Sequence, residues 1–302
     1  MGIRGLNKFL QDRCKYAINK KLLFSLKNKT IAIDANNYLY KFLTNGDLIP
    51  NLYEFCILMK YYNIKPIFVF DGEPPPEKMK IIEKRRERRK NAQKKYEILL
   101  AMSSKNNKKM EELKKEAVYL SNPLIKESKI LLKLLNISVL IAPGEADEYL
   151  CKMVKTGEAY AAMSEDMDLF VYGCPRIIRY VSILTHSCVI YDIESILNKL
   201  NTTQEEFTML CIMCGTDYNK KINNIYLNYK SFLEFKNSNN NHCGFDFTNY
   251  VESNYNISNL NFTNIKKLFE ININNTAKES LINPEKDTHL KSFLEKYNFI
   301  FP

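Results

Sequence analysis

Four short apolar runs, each ending at or shortly before a carboxylate and each followed by a helical pattern, constrain this chain more than any other feature. Thr30-Ile-Ala-Ile-Asp34 closes the stretch 22–34, and Ile67-Phe-Val-Phe-Asp71 closes 66–71. Two more runs fill 137–142 and 159–162, with Glu145 and Asp166 just beyond them. Short apolar strands alternating with helices predict an α/β fold around a parallel-centred sheet. Ligands of such sheets gather beyond the carboxyl ends of the strands. The pattern therefore predicts that Asp34, Asp71, Glu145 and Asp166 converge at one sheet edge.

The segment 77–120 is of another kind. It is rich in Lys, Arg and Glu and has no Gly or Pro, and its half 78–95 is strongly basic. It reads as one or two exposed helices, interrupted near 103–107, whose excess of positive charge suits phosphate as well as solvent. From 219 onward the chain turns rich in Asn, Lys and Phe and reads as a smaller helical region, with a loop at 237–242. The formal net charge of +10 favours a polyanionic partner such as nucleic acid. The frequent Asn, Lys and Ile suggest an AT-rich coding genome.

No run of about 18 apolar residues predicts a membrane span, and the start of the chain lacks the pattern of a secretion signal. Gly2 is followed by Leu6 where a myristoylation motif needs Ser or Thr. Eight cysteines without a second ligand pair for Cys211-x-x-Cys214 read as buried thiols, in keeping with an intracellular, reducing location.

Glu145-Ala-Asp147 and Asp166-Met-Asp168 are close acid pairs, and Asp217 follows the apolar run 210–215. Acid pairs commonly face solvent or cap helices, and Glu145 after Pro143-Gly144 suits a helix start. Their position at strand ends argues for more. Clustered carboxylates with few cations nearby in sequence are costly unless a metal neutralises them. Hard oxygen donors select Mg²⁺ or Mn²⁺ over zinc, and two such ions about 4 Å apart suit in-line displacement at phosphorus. His186, His242 and His289 lie outside the acidic motifs, and no Gly-rich phosphate loop is present, so a nucleophilic triad and a Walker-type nucleotide site find no support.

Taken in order, Met1-Gly-Ile-Arg-Gly-Leu6, Ile31-Ala-Ile-Asp-Ala35, Phe68-Val-Phe-Asp-Gly72 with Pro74-Pro75, Ala142-Pro-Gly-Glu-Ala-Asp147, Ser164-Glu-Asp-Met-Asp168 and Cys211-Ile-Met-Cys-Gly-Thr-Asp-Tyr218 resemble the successive motifs of flap endonucleases, the xeroderma-pigmentosum-G type of structure-specific 5′-nuclease. The resemblance covers about 1–218 and fades beyond. It implies a PIN-like nuclease core over 1–218, a helical arch over about 75–120 and a helical C-terminal DNA-binding region over 219–302. It also implies two Mg²⁺, with Mn²⁺ as substitute, and no small-molecule cofactor. By that resemblance Asp34, Asp71, Glu145 and Asp147 surround the first metal, and Asp166, Asp168 and Asp217 the second. Helix geometry alone would instead pair Glu145 with Glu148. Lys78 and Arg85 fall on the arch's two basic positions, suited to clamp the scissile phosphate. Tyr40 matches an aromatic that stacks a base, against the alternative of a core tyrosine. Gly2, Lys84, Arg88 and Arg89 complete the expected DNA contacts.

The implied partner is DNA with a 5′ flap or junction, cut in replication, repair or recombination. Three departures qualify this. The stretch 44–51 is short for the family's hydrophobic wedge. The segment 222–230 has no glycine where the family's helix–two-turn–helix element holds potassium, which argues against a K⁺ site. The sequence 298–302 carries no sliding-clamp motif. A 5′→3′ exonuclease or a junction resolvase on the same core is an alternative. A non-catalytic DNA-binding relative is the alternative of another class; such a relative would have lost some of the seven acids.

Overall fold

The computed structural model describes residues 3–101, 107–238, 247–254, 262–282, 284 and 289–299. Gly2, His242 and the interruption at 103–106 lie outside these, as do most of the loop expected at 237–242 and most of the 298–302 segment.

Helix α1 (Leu6–Arg13) precedes strands β1 (Ile18–Leu22) and β2 (Thr30–Asp34), helices α2 (Ala35–Thr44) and α3 (Leu48–Tyr61), and strand β3 (Lys65–Phe70). The basic segment then forms α4 (Met79–Ala101) and α5 (Asn107–Ala117), and α6 (Asn122–Leu134) returns the chain to β4 (Ser138–Ile141). Ser121 caps α6 by accepting from the Leu124 N–H, with a proline in the first turn where its missing donor costs nothing. Next come α7 (Ala146–Lys155), β5 (Ala161–Met163), α8 (Asp168–Val171), β6 (Arg176–Ser182), β7 (Ser187–Asp192), α9 (Ile193–Leu200) and α10 (Gln204–Met213). The remainder is α11 (Ile225–Ser238), α12 (Phe247–Asn254), α13 (Phe262–Lys267), β8 (Lys278–Glu279) and α14 (Leu290–Glu295).

The strands make one sheet in the order β1-β7-β6-β5-β2-β3-β4-β8. Its middle, β6-β5-β2-β3-β4, is parallel, and antiparallel strands extend it on both sides. The four sequence-predicted strands are β2, β3, β4 and β5. Helices cover both faces, so side chains of β2 alternate between two buried layers. Ile31 and Ile33 enter the layer built with α2, α3, α6 and α14. Ala32 enters the layer built with α1, α7 and α10 to α13.

With both faces buried, polar side chains surface where the strands end. Asp34 is the last residue of β2, and Asp71 directly follows β3. The loops after β3 and β4 touch: the Gly72 N–H donates to Gly144 O at 2.8 Å. A Cβ on Gly72 would lie 2.1 Å from Ala142 O, so only glycine permits the approach that sets Asp71 beside Glu145 and its helix.

Candidate active site

Local hydrogen bonds fix Asp34, Asp71 and Asp166. Asp34 caps α2, accepting from the Asn37 N–H (3.0 Å) on Oδ1 and from Ser164 Oγ (2.8 Å) on Oδ2. Ser164 Oγ also accepts from the Asp166 N–H (3.1 Å), tying the loop after β5 to the end of β2. Asp166 Oδ1 accepts from the N–H groups of Met167 (2.7 Å) and Asp168 (3.3 Å). Asp71 accepts from the Ala146 N–H (2.9 Å) and from the side-chain amide of Asn36. Glu145 is extended and precedes α7, so Asp147 lies in that helix's first turn, where the dipole favours a carboxylate. Asp217 follows α10, which starts in a capping box of Thr203 and Glu206. The Thr216 N–H and hydroxyl both donate to Asn219 Oδ1, closing the turn that presents Asp217.

The pairing of Glu145 with Glu148 suggested by helix spacing does not occur. Glu148 points to the C-terminal region, accepting from the Asn272 N–H (3.1 Å) and the Asn275 amide (3.2 Å).

The cluster is poorly neutralised at its centre. Asp34 and Asp168 are each 7% exposed. Burial first, then the charges of Asp71 and Asp166, push the Asp34 carboxyl up to about 7. Burial, then Asp166 and Asp217, push Asp168 up to about 8. Asp147 is raised well above the usual range by burial and by Asp34, Asp166 and Asp168. Oxygens of Asp147, Asp166 and Asp168 lie within 4.8 Å of one another. Asp147 Oδ1 and Asp168 Oδ1 are buried without any hydrogen-bond partner. Converging, partly orphaned carboxylate oxygens fit a hard divalent cation. This trio crosses the division into two ligand sets that the family resemblance implies.

The cations come from the turn just before α4 and from α4 itself. Lys78 Nζ pairs with Glu145 Oε1 and lies 3.5 Å from Asp217 Oδ2. Burial disfavours its ammonium, but Glu145, Asp217 and Asp147 outweigh that and raise its pKa. Arg85 Nη2 donates to both oxygens of Asp217, at 2.6 and 2.8 Å. Lys78 and Arg85 therefore touch the acids themselves. Tyr40 lines a cleft of about 800 Å³ together with Arg85, Arg88 and Arg89, and its hydroxyl accepts from Arg89. It is half-buried, with part of the ring packed against the hydrophobic layer of α2 and α3. Lys84 does not join that group; it lines a separate cleft of about 340 Å³ between α4 and α5.

Sequence reasoning missed Tyr218, whose hydroxyl donates to Glu145 Oε2 at 2.8 Å, and the supporting Ser164, Asn36 and Asn37. Each lies within three residues of one of the seven acids in sequence, which was the available signal. The cysteines are as expected: Cys211 and Cys214 are buried free thiols. No helix among the described residues is long and apolar enough to cross a membrane.

Two family models match the chain, the XPG N-terminal domain over residues 1–92 and the XPG I-region over 136–217. Flap endonuclease 1 of Leishmania braziliensis is 31% identical over 267 residues, covering 78% of this chain and 67% of that protein. Human Flap endonuclease 1 is 33% identical over 243 residues, covering 74% of this chain and 63% of that protein. Solved structures share the fold. The catalytic core of Rad2 in complex with DNA substrate superposes with a TM-score of 0.67 at 19% identity, covering 98% of this chain and 94% of Rad2. Flap endonuclease-1 from Methanococcus jannaschii gives 0.62 at 23%, covering 98% and 93%. Human GEN1 in complex with Holliday junction DNA gives 0.66 at 19%, covering 99% and 74%. With both models matched in order and the acids gathered at the strand ends, the chain belongs to the XPG and flap endonuclease family of nucleases.

Proposed function

We propose that the chain hydrolyses a DNA phosphodiester bond at a single-strand/double-strand junction, at the base of a 5′ flap, leaving a 5′-phosphate and a 3′-hydroxyl. The observation that carries this reading is a cluster of acids beyond the ends of the parallel strands, joined by Asp217 from the turn after α10, with Lys78 just before the basic helix α4 and Arg85 on it reaching into them. Asp34, Asp71, Glu145, Asp147, Asp166, Asp168 and Asp217 would hold two Mg²⁺ or Mn²⁺. Such ions supply a nucleophilic water at neutral pH and charge stabilisation for an in-line displacement.

The protein's own groups do the rest. Lys78 and Arg85 rest on Glu145 and Asp217, and a phosphate entering the site offers their N–H donors a competing anion. Transferred to its oxygens, they hold the phosphorus over the acids and offset the charge that grows in the transition state. Tyr218 steadies Glu145 from its other side. Tyr40 receives a base beside the cut, and Arg88 and Arg89 hold the phosphates of the strand in the same cleft. The division at 218 belongs to this reading, with 219–302 gripping duplex backbone. Binding is then salt-sensitive.

The test is cleavage of 5′-labelled single flap, double flap, nicked duplex, four-way junction and single strand, in Mg²⁺ and in EDTA. Mg²⁺-dependent cutting near the flap base supports the reading. Binding without cutting at any Mg²⁺ level would reduce the protein to a DNA-binding module, and preferred cutting of the four-way junction would make it a resolvase.

A further inference from the structure

Glu165 stands in the loop after β5, between Asp166 and the Ser164 that bridges Asp34 and Asp166. Its own side chain is bound by α2 and β6. Glu165 Oε1 accepts from Lys41 Nζ of α2 at 2.8 Å and from the Tyr180 N–H of β6 at 2.9 Å. Its Oε2 lies 3.7 Å from Arg179 Nε. The backbone is held as well: the Glu165 N–H donates to Asn37 Oδ1 (3.1 Å), and the Glu165 carbonyl accepts from Arg179 Nη2 (2.8 Å).

β6 is deformed where it meets this side chain. Arg179 stands opposite Val189 and Ser182 opposite Ser187, so Tyr180 and Val181 face the single residue Cys188 of β7. Such a β-bulge re-aims groups beside active sites. Tyr180 takes the left-handed conformation, with φ 54°, which is uncommon for a bulky side chain. Two backbone groups of the bulge are met by one ion pair: the Tyr180 N–H by Glu165, and the Val181 carbonyl by Lys41 Nζ at 3.5 Å.

Hydrogen-bond satisfaction alone does not call for this arrangement. Tyr180 is 43% exposed, so water could take its N–H. What the bulge and the ion pair achieve is a fixed tie between α2 and the loop that carries Asp166 and Asp168. Asn37 already makes one such tie, donating its N–H to Asp34 and accepting the Glu165 N–H on its side chain. Lys41 and Glu165 repeat it about one helical turn further along α2.

We propose that Glu165 is a positioning residue for the acid cluster: held by Lys41 and by the bulge of β6, it sets Asp166 and Asp168 at the spacing from Asp34 in which a divalent ion is bound. The inference rests on the reading that these acids hold such ions.

The test is calorimetric titration of the full chain with Mn²⁺, without DNA. Groups that orient metal ligands are typically worth about 10–100-fold in affinity, so Glu165→Ala should weaken Mn²⁺ binding by at least about tenfold. Glu165→Gln loses the charge but keeps an oxygen for Lys41 and the Tyr180 N–H, and should stay within about threefold of wild type. Lys41→Met separates position from charge by the sign of its effect. Removing a cation near the acids tightens Mn²⁺ if charge alone matters, whereas loss of the clamp weakens it several-fold. Weaker binding by Lys41→Met supports the proposal, and it decides alone if Glu165→Ala does not fold. Unchanged or tighter binding by Lys41→Met overturns the proposal, and so does a loss in Glu165→Gln equal to that in Glu165→Ala. Variants that melt lower but bind Mn²⁺ as wild type does would show a purely structural role and overturn it too. Wild type that takes up no Mn²⁺ sinks the reading of the acids as a metal site, and the proposal with it; wild-type binding that the variants share sinks the proposal alone.

Discussion

Asp168 shows how one side chain ties stability to chemistry. Folded, it keeps its proton up to about pH 8, whereas the free carboxyl loses it near 3.8. Between those values the folded state binds more protons than the unfolded chain, so this group's contribution to stability falls as pH rises. Asp168→Asn removes the ionisation. In EDTA at pH 8 the variant should melt higher than wild type, by on the order of 2–5 °C, with the gap narrowing towards pH 5. In Mg²⁺ it should lose at least about a hundredfold in cutting rate. Lower melting of the variant at pH 8 would mean that the acids are already neutralised without metal. Lys78 makes the opposite case. Lys78→Ala should slow single-turnover cutting by about 10²–10³-fold while changing DNA affinity little; an effect confined to affinity would make Lys78 a general phosphate contact. At this scale the sequence was most legible where a side chain's place depends only on its own strand end, as for Asp34 and Asp71. The contacts of Lys78 with Glu145 and of Arg85 with Asp217 join residues far apart in the chain, so no local pattern carried them.

Elements were legible where apolar residues run unbroken by charge. β2, β3, β4 and β5 read as apolar runs because helices cover the sheet on both faces. β1 is an edge strand with four exposed residues of five, β6 carries two arginines, and β8 has two residues. β1 and β8 end the sheet, where pairing by backbone hydrogen bonds leaves little mark on side-chain choice, and β6, inside the sheet, is masked by its two arginines. Arg179 on β6 is buried, with Nη2 donating to Glu165 O (2.8 Å) and Nη1 to Asn7 Oδ1 (2.9 Å), so a charge that argues against a strand is there satisfied internally. α7 has a similar hidden tie. Glu148 and Lys152 hold the segment 272–275 against the helix that presents Glu145 and Asp147. Glu148→Ala removes two acceptor contacts, worth about 1–3 kcal/mol together. Amide exchange in 271–277 should quicken several-fold in that variant, while exchange in β2 and β3 stays unchanged. Unchanged exchange at 271–277 would mean that Lys152, through its bond to Asn275 O, holds the segment alone.

Across the whole molecule, the acid cluster and the basic segment around α4 neutralise each other in part. The acids need cations, and Lys78, just before α4, and Arg85, on it, reach Glu145 and Asp217, although the chain carries a net +10 that a polyanion would attract. Metal ions entering the cluster compete with those two side chains for the same carboxylate oxygens. A side chain freed from a carboxylate is available to a phosphate, so metal binding and DNA binding should favour each other. Such coupling is reciprocal: the factor by which Mg²⁺ tightens DNA equals the factor by which DNA tightens Mg²⁺. With an uncleavable junction analogue, Mg²⁺ should raise DNA affinity of the wild type by about 5–150-fold, the usual range of such couplings. Asp217→Asn takes the formal charge from Arg85's partner and frees the guanidinium without metal. That variant should bind DNA more tightly than wild type in EDTA and gain less from Mg²⁺. Equal gains in the two proteins would show that the ion acts on DNA directly, by screening or bridging phosphates, and that the contacts of Lys78 and Arg85 with the acids are a resting arrangement with no part in the coupling.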